Sequence, residues 1–458
     1  MFKNLSRADI RFLVALLVVH AVYFAIAVHY KRIYNGDSYE YIYMATNILD
    51  NGWFYAGNPA LPVQPEYMTL RPPGYPLFLA GIYLFTLNNW VVLVIQTLIS
   101  IANVYFMRHI MRMINYSRKY DWVLLAFVLL YPSQCINANI IAPDLLLQTT
   151  ILAYAYNFIR LLRQRRMRFA VGMGIALCAG VMLKPVVHPI IYVHALLMML
   201  AGIYVYKALL RSFVAAMLPL LLVVTYGYVN YARTGKVHFS SMQSFNAIFY
   251  YYNYYKDTEG VDKAETFLQE ERAKIAAMPT FAERYDYANK RGRELLLQNF
   301  GSYMVYHIKH SLRLLVDPGK GEIDLFTGRL TLGTLYDVYN TEGFYDTYRT
   351  SGIDGLEAYV ARNPSLPIAV MVMVFNVLRT IGMLLYFFNK QTNYRLRLFM
   401  FLLIAYFVMI TGPIANTRYF MPVSLLSMGI AAIGYQRVLQ RLKNKAIIAG
   451  LERQESYH

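Results

Sequence analysis

Residues 71–85 read "RPPGYPLFLAGIYLF", and the topology of the whole chain turns on whether they cross a membrane. Their apolar part, "PLFLAGIYLF" (76–85), runs for only about ten residues before Asn88 and Asn89. A helix needs roughly 20 apolar residues to span a bilayer. This one fits a surface or re-entrant helix, opened by Pro72 and Pro73 and lying in the interface.

Charge gives a second test, because basic residues gather in the cytoplasmic loops of membrane proteins. If 76–85 does not cross, one side holds Lys3, Arg7 and Arg11, then Arg108 to Lys119, "RLLRQRRMR" (160–168), Lys207 and Arg211. The same side holds Lys390 to Arg397 and the tail from Arg437 to Arg453, offset only by Asp9, Asp121, Glu452 and Glu455. If 76–85 crosses, every later loop flips and "RLLRQRRMR" faces outward. The non-crossing reading is therefore preferred.

The remaining sequence agrees with a membrane chain. It has 458 residues, 57% hydrophobic and only 15% charged, where a soluble protein carries about a quarter charged residues. Apolar runs near 12–29, 90–108, 122–140, 145–162, 169–183, 189–206, 212–230, 366–388, 398–412 and 419–436 predict about ten transmembrane helices. The expected fold class is an all-α polytopic membrane protein. The run Phe12 to Val28 is too long for a signal-peptide core and lacks a small-residue cleavage site, so it is expected to stay as a helix. The formal charge of +18 is accounted for by membrane orientation, and no basic-aromatic nucleic-acid motif accompanies it. Cys135 and Cys178 form no disulfide framework and have no metal-ligand spacing.

The outer side then carries a first loop (30–89), the turns "NIIAPD" (139–144), "KPVVHP" (184–189) and "GPIANTRY" (412–419), and a polar region at 231–365. That region has nearly balanced charge and reads as a small, mainly helical periplasmic domain. "DKAETFLQEERAKIAAM" and "TFAERYDYANKRGRELLLQ" have helical spacing. "GSYMVYHIKHSLRLLVDPG" (301–319) reads as an amphipathic helix on the membrane, stopped by Pro318 and Gly319. The expected organisation is a membrane module at 1–230, this domain at 231–365, and C-terminal helices with a basic tail at 366–458.

The polar residues that need a reason fall on that outer side: Asp37, Glu40, Arg71, Asp144, Lys184, His188 and Arg418. Three cations and a carboxylate facing one outer cavity suit a phosphate bearing something transferable. Each residue also has a plain structural reading. Asp37 with Glu40 matches a helix capping box, and Asp144 suits a helix N-terminus. Arg71 can meet a lipid headgroup, Lys184 can snorkel, Arg418 with Tyr419 can anchor at the interface, and His188 can simply pack. Arg379 lies inside a span and needs an intramembrane partner that the sequence does not name.

Taken in order, several features resemble the GT-C glycosyltransferases. They are an acid just after the first transmembrane helix (Asp37), a long outer loop, "RPPGYP" opening a surface helix, an acid at the start of a later span (Asp144), and "RY" followed by Pro422 near the end. The chain is most similar to bacterial relatives of protein O-mannosyltransferases and lipid A aminoarabinose transferases. The resemblance is best over the first 200 residues and next best around Arg418. It implies a multi-pass enzyme of the bacterial inner membrane, with its active site facing the periplasm. The donor would be a polyprenyl-phosphate-linked sugar, transferred as a hexosyl or pentosyl unit to a glycan, lipid or protein acceptor. Asp37 matches the family's catalytic aspartate and would act as general base in an inverting displacement. Arg71 matches the basic residue that meets the donor phosphate, and Lys184 and Arg418 are carried over to the same task. Glu40, Tyr39, Tyr75, Asp144, His188 and Tyr419 are expected substrate contacts. The family often has a second carboxylate directly beside the first, whereas Glu40 stands three residues on. No metal cluster is evident, so no cofactor is required, and a divalent cation is left open. Two other readings compete: a transporter or flippase of lipid-linked saccharide, and a surface-glycan polymerase or ligase.

Overall fold

The computed structural model describes residues 6–203, 209–330, 344–412, 414 and 416–455. Lys3, Lys207, the end of the 189–206 segment, residues 331–343, Pro413 and Ala415 lie outside the described residues, as do the side chains beyond 444. The first ten helices are α1 Arg7–Tyr30, α2 Ser38–Asn51, α3 Glu66–Thr69, α4 Gly74–Tyr83, α5 Asn89–Met113, α6 Asp121–Leu129, α7 Pro132–Ala138, α8 Asp144–Gln164, α9 Arg168–Leu183 and α10 His188–Ala201. They are followed by α11 Leu209–Thr234, α12 Met242–Glu259, α13 Val261–Ala276, α14 Phe281–Gln298, α15 Phe300–Arg313, α16 Lys320–Phe326, α17 Phe344–Arg362, α18 Leu366–Phe387, α19 Tyr394–Ile410 and α20 Met421–Glu455. No strand occurs among the described residues.

A helix lies at each of the ten expected spans. By length and composition, five of them can cross a membrane: α1, α5, α8, α18 and the 210–234 part of α11. A sixth crossing exists if α6 and α7 form one broken span, bent by 65°. The straight span expected at 122–140 is corrected here. Pro132 has no backbone N–H and crowds the preceding residue, so the helix stops before it and restarts in a new direction. The helices α9 and α10 are apolar but short.

Large apolar side chains point outward along the long helices. Val14, Leu17, Val18 and Val22 of α1 are exposed, as are Leu221 and Val224 of α11 and Val370, Val374 and Ile381 of α18. In water such a belt would be costly; in lipid it is matched. The helix α4 is ten residues long, as its composition predicts, burying Tyr75 and Leu79 and exposing Leu77.

At the centre stands α20, buried on all sides from Met421 to Ile433, as an all-round apolar helix requires. It packs on α18, α8 and α5. Its closest approach is to α18, where a Cβ on Gly434 would collide with the Gly382 carbonyl oxygen, and one on Gly382 would come within 2.9 Å of Ala431. Small residues permit such backbone contact between membrane helices. Gly434→Val is therefore expected to cost about 2 kcal/mol through overpacking, read as a lower melting temperature in detergent, while Gly434→Ala costs less.

Away from the outer turns, Arg108 is fully buried and binds Asp9 (2.7 Å) and Asp121, tying α1, α5 and α6 together. Arg112 shares both carboxylates at 3.4 and 3.3 Å, and Arg118 reaches Asp9 at 3.6 Å.

The polar region forms the helices expected of it. A capping box of Thr280 and Glu283 starts α14, and α12, α13 and α14 share a small core of Ile248, Tyr252, Leu268 and Leu295. This core is tied to the first loop by Arg284 with Glu66 (2.7 Å) and by His238 with Thr69 (2.8 Å). The expected long amphipathic helix ends at Arg313, before Pro318. Three residues of α18 hold the turn that follows: Arg379 and Thr380 donate to the Leu315 carbonyl and Asn376 donates to that of Asp317. The partner of Arg379 is thus a backbone carbonyl, with the rings of Phe420 and Tyr131 at 4.7 and 5.4 Å.

Candidate active site

Backbone and side-chain bonds bring the first loop against the start of α8. Ile141 N–H donates to Ile33 O (2.9 Å), and Ser38 Oγ donates to Ile141 O (2.8 Å). Asn35 Oδ1 accepts from the Asp37 N–H at 3.0 Å, which sets the turn into α2. Asp37 stands at the N-cap position but its side chain makes no capping bond. Asp37 and Glu40 are both turned toward Arg71, and a long-range cation replaces the local capping box.

Arg71 is the first of two hubs. Its Nη2 lies 2.8 Å from Asp37 Oδ1 and its Nε 2.5 Å from Glu40 Oε2. The guanidinium lies 5.3 Å over the Tyr41 ring, and among the described residues Nη1 has only Met242 Sδ at 3.7 Å. The paired prolines set Arg71 at the mouth of α4.

Arg418 is the second hub. It sits in the 3-10 turn Thr417–Phe420, which the Asn416 side chain caps. Its Nη2 is 2.9 Å from Asp37 Oδ2, and its Nε donates to Asp144 Oδ2 at 2.8 Å. The Asp37 contact satisfies distance but not alignment, so Nη2 has no aligned hydrogen bond among the described residues. Lys184, at the end of α9, meets Asp144 Oδ1 at 2.6 Å and lies over the Tyr419 ring at 5.3 Å. Its side chain is 13% exposed and turned into the cluster, and it does not snorkel.

Residues 37, 40, 71, 144, 184 and 418 therefore form one connected group on one side of the bundle, with three cations against three carboxylates. Burial alone would raise the Asp37 carboxyl, but Arg418, Arg71 and Lys184 outweigh it and hold the group well below the usual carboxylate range. Such a carboxylate stays ionised and is a weak base. Glu40 goes the other way: burial raises it against the pull of Arg71, and the nearby Asp37 charge adds to the rise. Burial lowers the proton affinity of Lys184, with Asp144 opposing. In Arg418 the Asp144 and Asp37 charges overcome burial and raise it.

Tyr419 joins the cluster through Lys184. Tyr75 is buried behind it, bonded to Gln96 (2.6 Å) and edge-on to Tyr41 at 5.1 Å. Tyr39 is half exposed and stacks on Tyr34 at 5.0 Å. His188 bonds Tyr192 (2.9 Å) and stacks on Phe239, and none of these contacts joins it to the cluster. Sequence reasoning missed Tyr41 as the platform under Arg71, although it lies one helical turn from Asp37. It also missed Glu322, for which the local sequence offers no signal. Among the described residues, no group of three or more His, Cys, Asp or Glu side chains is placed to hold a metal ion.

No protein-family model matches the chain, and no curated protein matches it. Solved structures similar to the chain include two membrane proteins. One is the archaeal oligosaccharyltransferase AglB from Archaeoglobus fulgidus in complex with an inhibitory peptide and a dolichol-phosphate, at 13% identity and a TM-score of 0.46. The match covers 95% of this chain and 52% of that one, so the chain spans about half the length of the oligosaccharyltransferase. The other is ArnT from Cupriavidus metallidurans bound to undecaprenyl phosphate, at 14% identity and a TM-score of 0.39, covering 94% of this chain and 77% of that one. Both likenesses are distant, and what this site does has to come from its own residues.

Proposed function

We propose that the chain is a membrane glycosyltransferase that moves a sugar from a polyprenyl-phosphate donor to an acceptor on the outer face of a bacterial inner membrane. One observation carries the reading: five residues singled out from far apart in the sequence, Asp37, Arg71, Asp144, Lys184 and Arg418, are joined by ion pairs at one site beside apolar helices. A lipid-linked phosphate has this double requirement of a cationic seat and an adjoining apolar path.

In this mechanism the phosphate takes the N–H groups that have no good partner, Arg71 Nη1 and Arg418 Nη2, and shares Lys184 with Asp144. Preorganised cations stabilise the charge that grows on the phosphate as it leaves. Asp37, kept ionised, accepts a hydrogen bond from the acceptor hydroxyl and aims its oxygen at the anomeric carbon. Attack opposite the phosphate inverts the configuration. The Tyr41 ring holds Arg71 in place, and the Tyr419 ring, which holds Lys184, flanks the sugar.

The test is a reconstituted assay of the purified protein with lipid-linked sugars extracted from its native membranes. Transfer to an acceptor, with release of polyprenyl phosphate, supports the proposal. Translocation of intact donor lipid without bond cleavage overturns it in favour of a flippase.

A further inference from the structure

The proposed reaction must dispose of a proton, and the carboxylates of the cluster are poorly suited to take it. Asp37 and Asp144 each have both oxygens paired with cations, and Glu40 has one. Beside the cluster lies a carboxyl of a different kind. Glu322, in the first turn of α16, has no salt-bridge partner among the described residues, and its Oε2 is buried without a hydrogen bond.

Its surroundings are built from three separate parts of the chain. The Thr417 and Ser133 hydroxyls lie beside Glu322, and Arg418 is within electrostatic reach. Gly319, at φ +69°, permits this packing: a Cβ there would stand 2.8 Å from Thr417 Oγ1 and 3.3 Å from Ser133 Oγ. Arg418 Nη2 is also buried without an aligned hydrogen bond among the described residues, and Thr417 and Tyr131 are each 3% exposed. Buried polar atoms normally have partners, so Glu322 Oε2 and Arg418 Nη2, left open on neighbouring side chains, mark a place that a polar part of the substrate fills.

Resting on the glycosyltransferase reading, we propose that Glu322 is the proton acceptor of the transfer. As the acceptor oxygen bonds to the anomeric carbon, its proton passes to the Glu322 carboxylate. The bond from that carbon to the phosphate oxygen breaks, and its electron pair leaves with the polyprenyl phosphate. Asp37 orients the nucleophile and Glu322 stores the proton, returning it to water when product departs.

The electrostatics support this division of labour. Burial pushes the Glu322 carboxyl up to about 7, with Asp317 adding to the rise and Thr417, Ser133 and Arg418 opposing it. Lys320 and Asp324, on the same helix, pair with each other at 2.7 Å, and Arg379 faces the site across Tyr131. A base poised near the working pH is the effective one.

The test uses the full chain in proteoliposomes, with lipid-linked sugars from native membranes as donor and the stripped membranes as acceptor. Glu322→Gln is expected to lower kcat by about 10²–10⁴-fold, leave the donor KM unchanged, and remove the fall in kcat that wild type shows as pH drops through about 7. Glu40→Gln lowers turnover but keeps that fall, and Thr417→Val moves it to higher pH. A substrate-free readout accompanies these. A raised carboxyl favours the protonated folded form, so this stability is fully present below the unfolded value of about 4.3 and is lost as pH rises through about 7. Wild type should show that loss relative to Glu322→Gln between those values. Retained kcat and pH profile in Glu322→Gln, or loss of the profile in Glu40→Gln instead, overturns the proposal while leaving the glycosyltransferase reading intact. Absence of transfer by wild type overturns both.

Discussion

Arg418→Met is expected to abolish transfer and to loosen the protein at the same time. Among the described residues, Arg418 is the one side chain that touches both Asp37 and Asp144. Asp144 is 1% exposed and would keep Lys184 on Oδ1 while its Oδ2 loses its donor. A buried acceptor left without its partner costs about 1–3 kcal/mol. Loss of a preorganised cation at the leaving group lowers turnover by about 10²–10³-fold. The two effects separate in Arg418→Lys, which keeps a cation beside Asp144 but loses the fork that reaches Asp37 and Asp144 together. Its melting temperature should stay near that of wild type, while transfer falls. If Arg418→Met kept its activity, Arg418 would be a structural brace only.

Asp37→Asn gives the second large effect, with the opposite balance. The asparagine leaves Arg71 with Glu40 and Arg418 with Asp144, so the fold holds. One negative charge disappears from beside three cations, and the donor phosphate should bind more tightly. Turnover should nevertheless fall by about 10²-fold or more, because the acceptor hydroxyl loses the anion that aims it. Tighter undecaprenyl phosphate binding combined with lost transfer is the expected signature, measured by ligand-induced melting shifts and by product formation. Unchanged transfer would remove Asp37 from the mechanism.

The parts of the site that were legible in the sequence share one property: each is a polar residue at the end of an apolar run. Asp37, Asp144, Lys184 and Arg418 all sit where a helix begins or ends, and Arg71 is marked by its prolines. A charge is costly near lipid, so its presence there carries information. Partners were less legible. The spacing of Asp37 and Glu40 reads locally as a capping box, but a cation 31 residues beyond Glu40 takes both carboxylates, a tertiary contact that overrides a local one.

Arg379 shows the same limit, since its acceptor is the Leu315 carbonyl and backbone groups leave no trace in residue identity. The break before Pro132 was present in the letters, yet the apolar run around it concealed the change of direction. Glu322 was invisible for another reason. In "PGKGEIDLF" it looks like any helix-starting acid, and only the packing of α16 against α7 and the Thr417 turn sets it apart.

The central claim is that this ion-paired site breaks a bond between a sugar and a lipid phosphate. It is tested most directly by following both products when the purified protein is given lipid-linked sugar and acceptor. The account predicts free polyprenyl phosphate and glycosylated acceptor rising together, one for one, with wild type but not with Arg418→Met. Recovery of the lipid-linked sugar intact, on whichever leaflet, would contradict it.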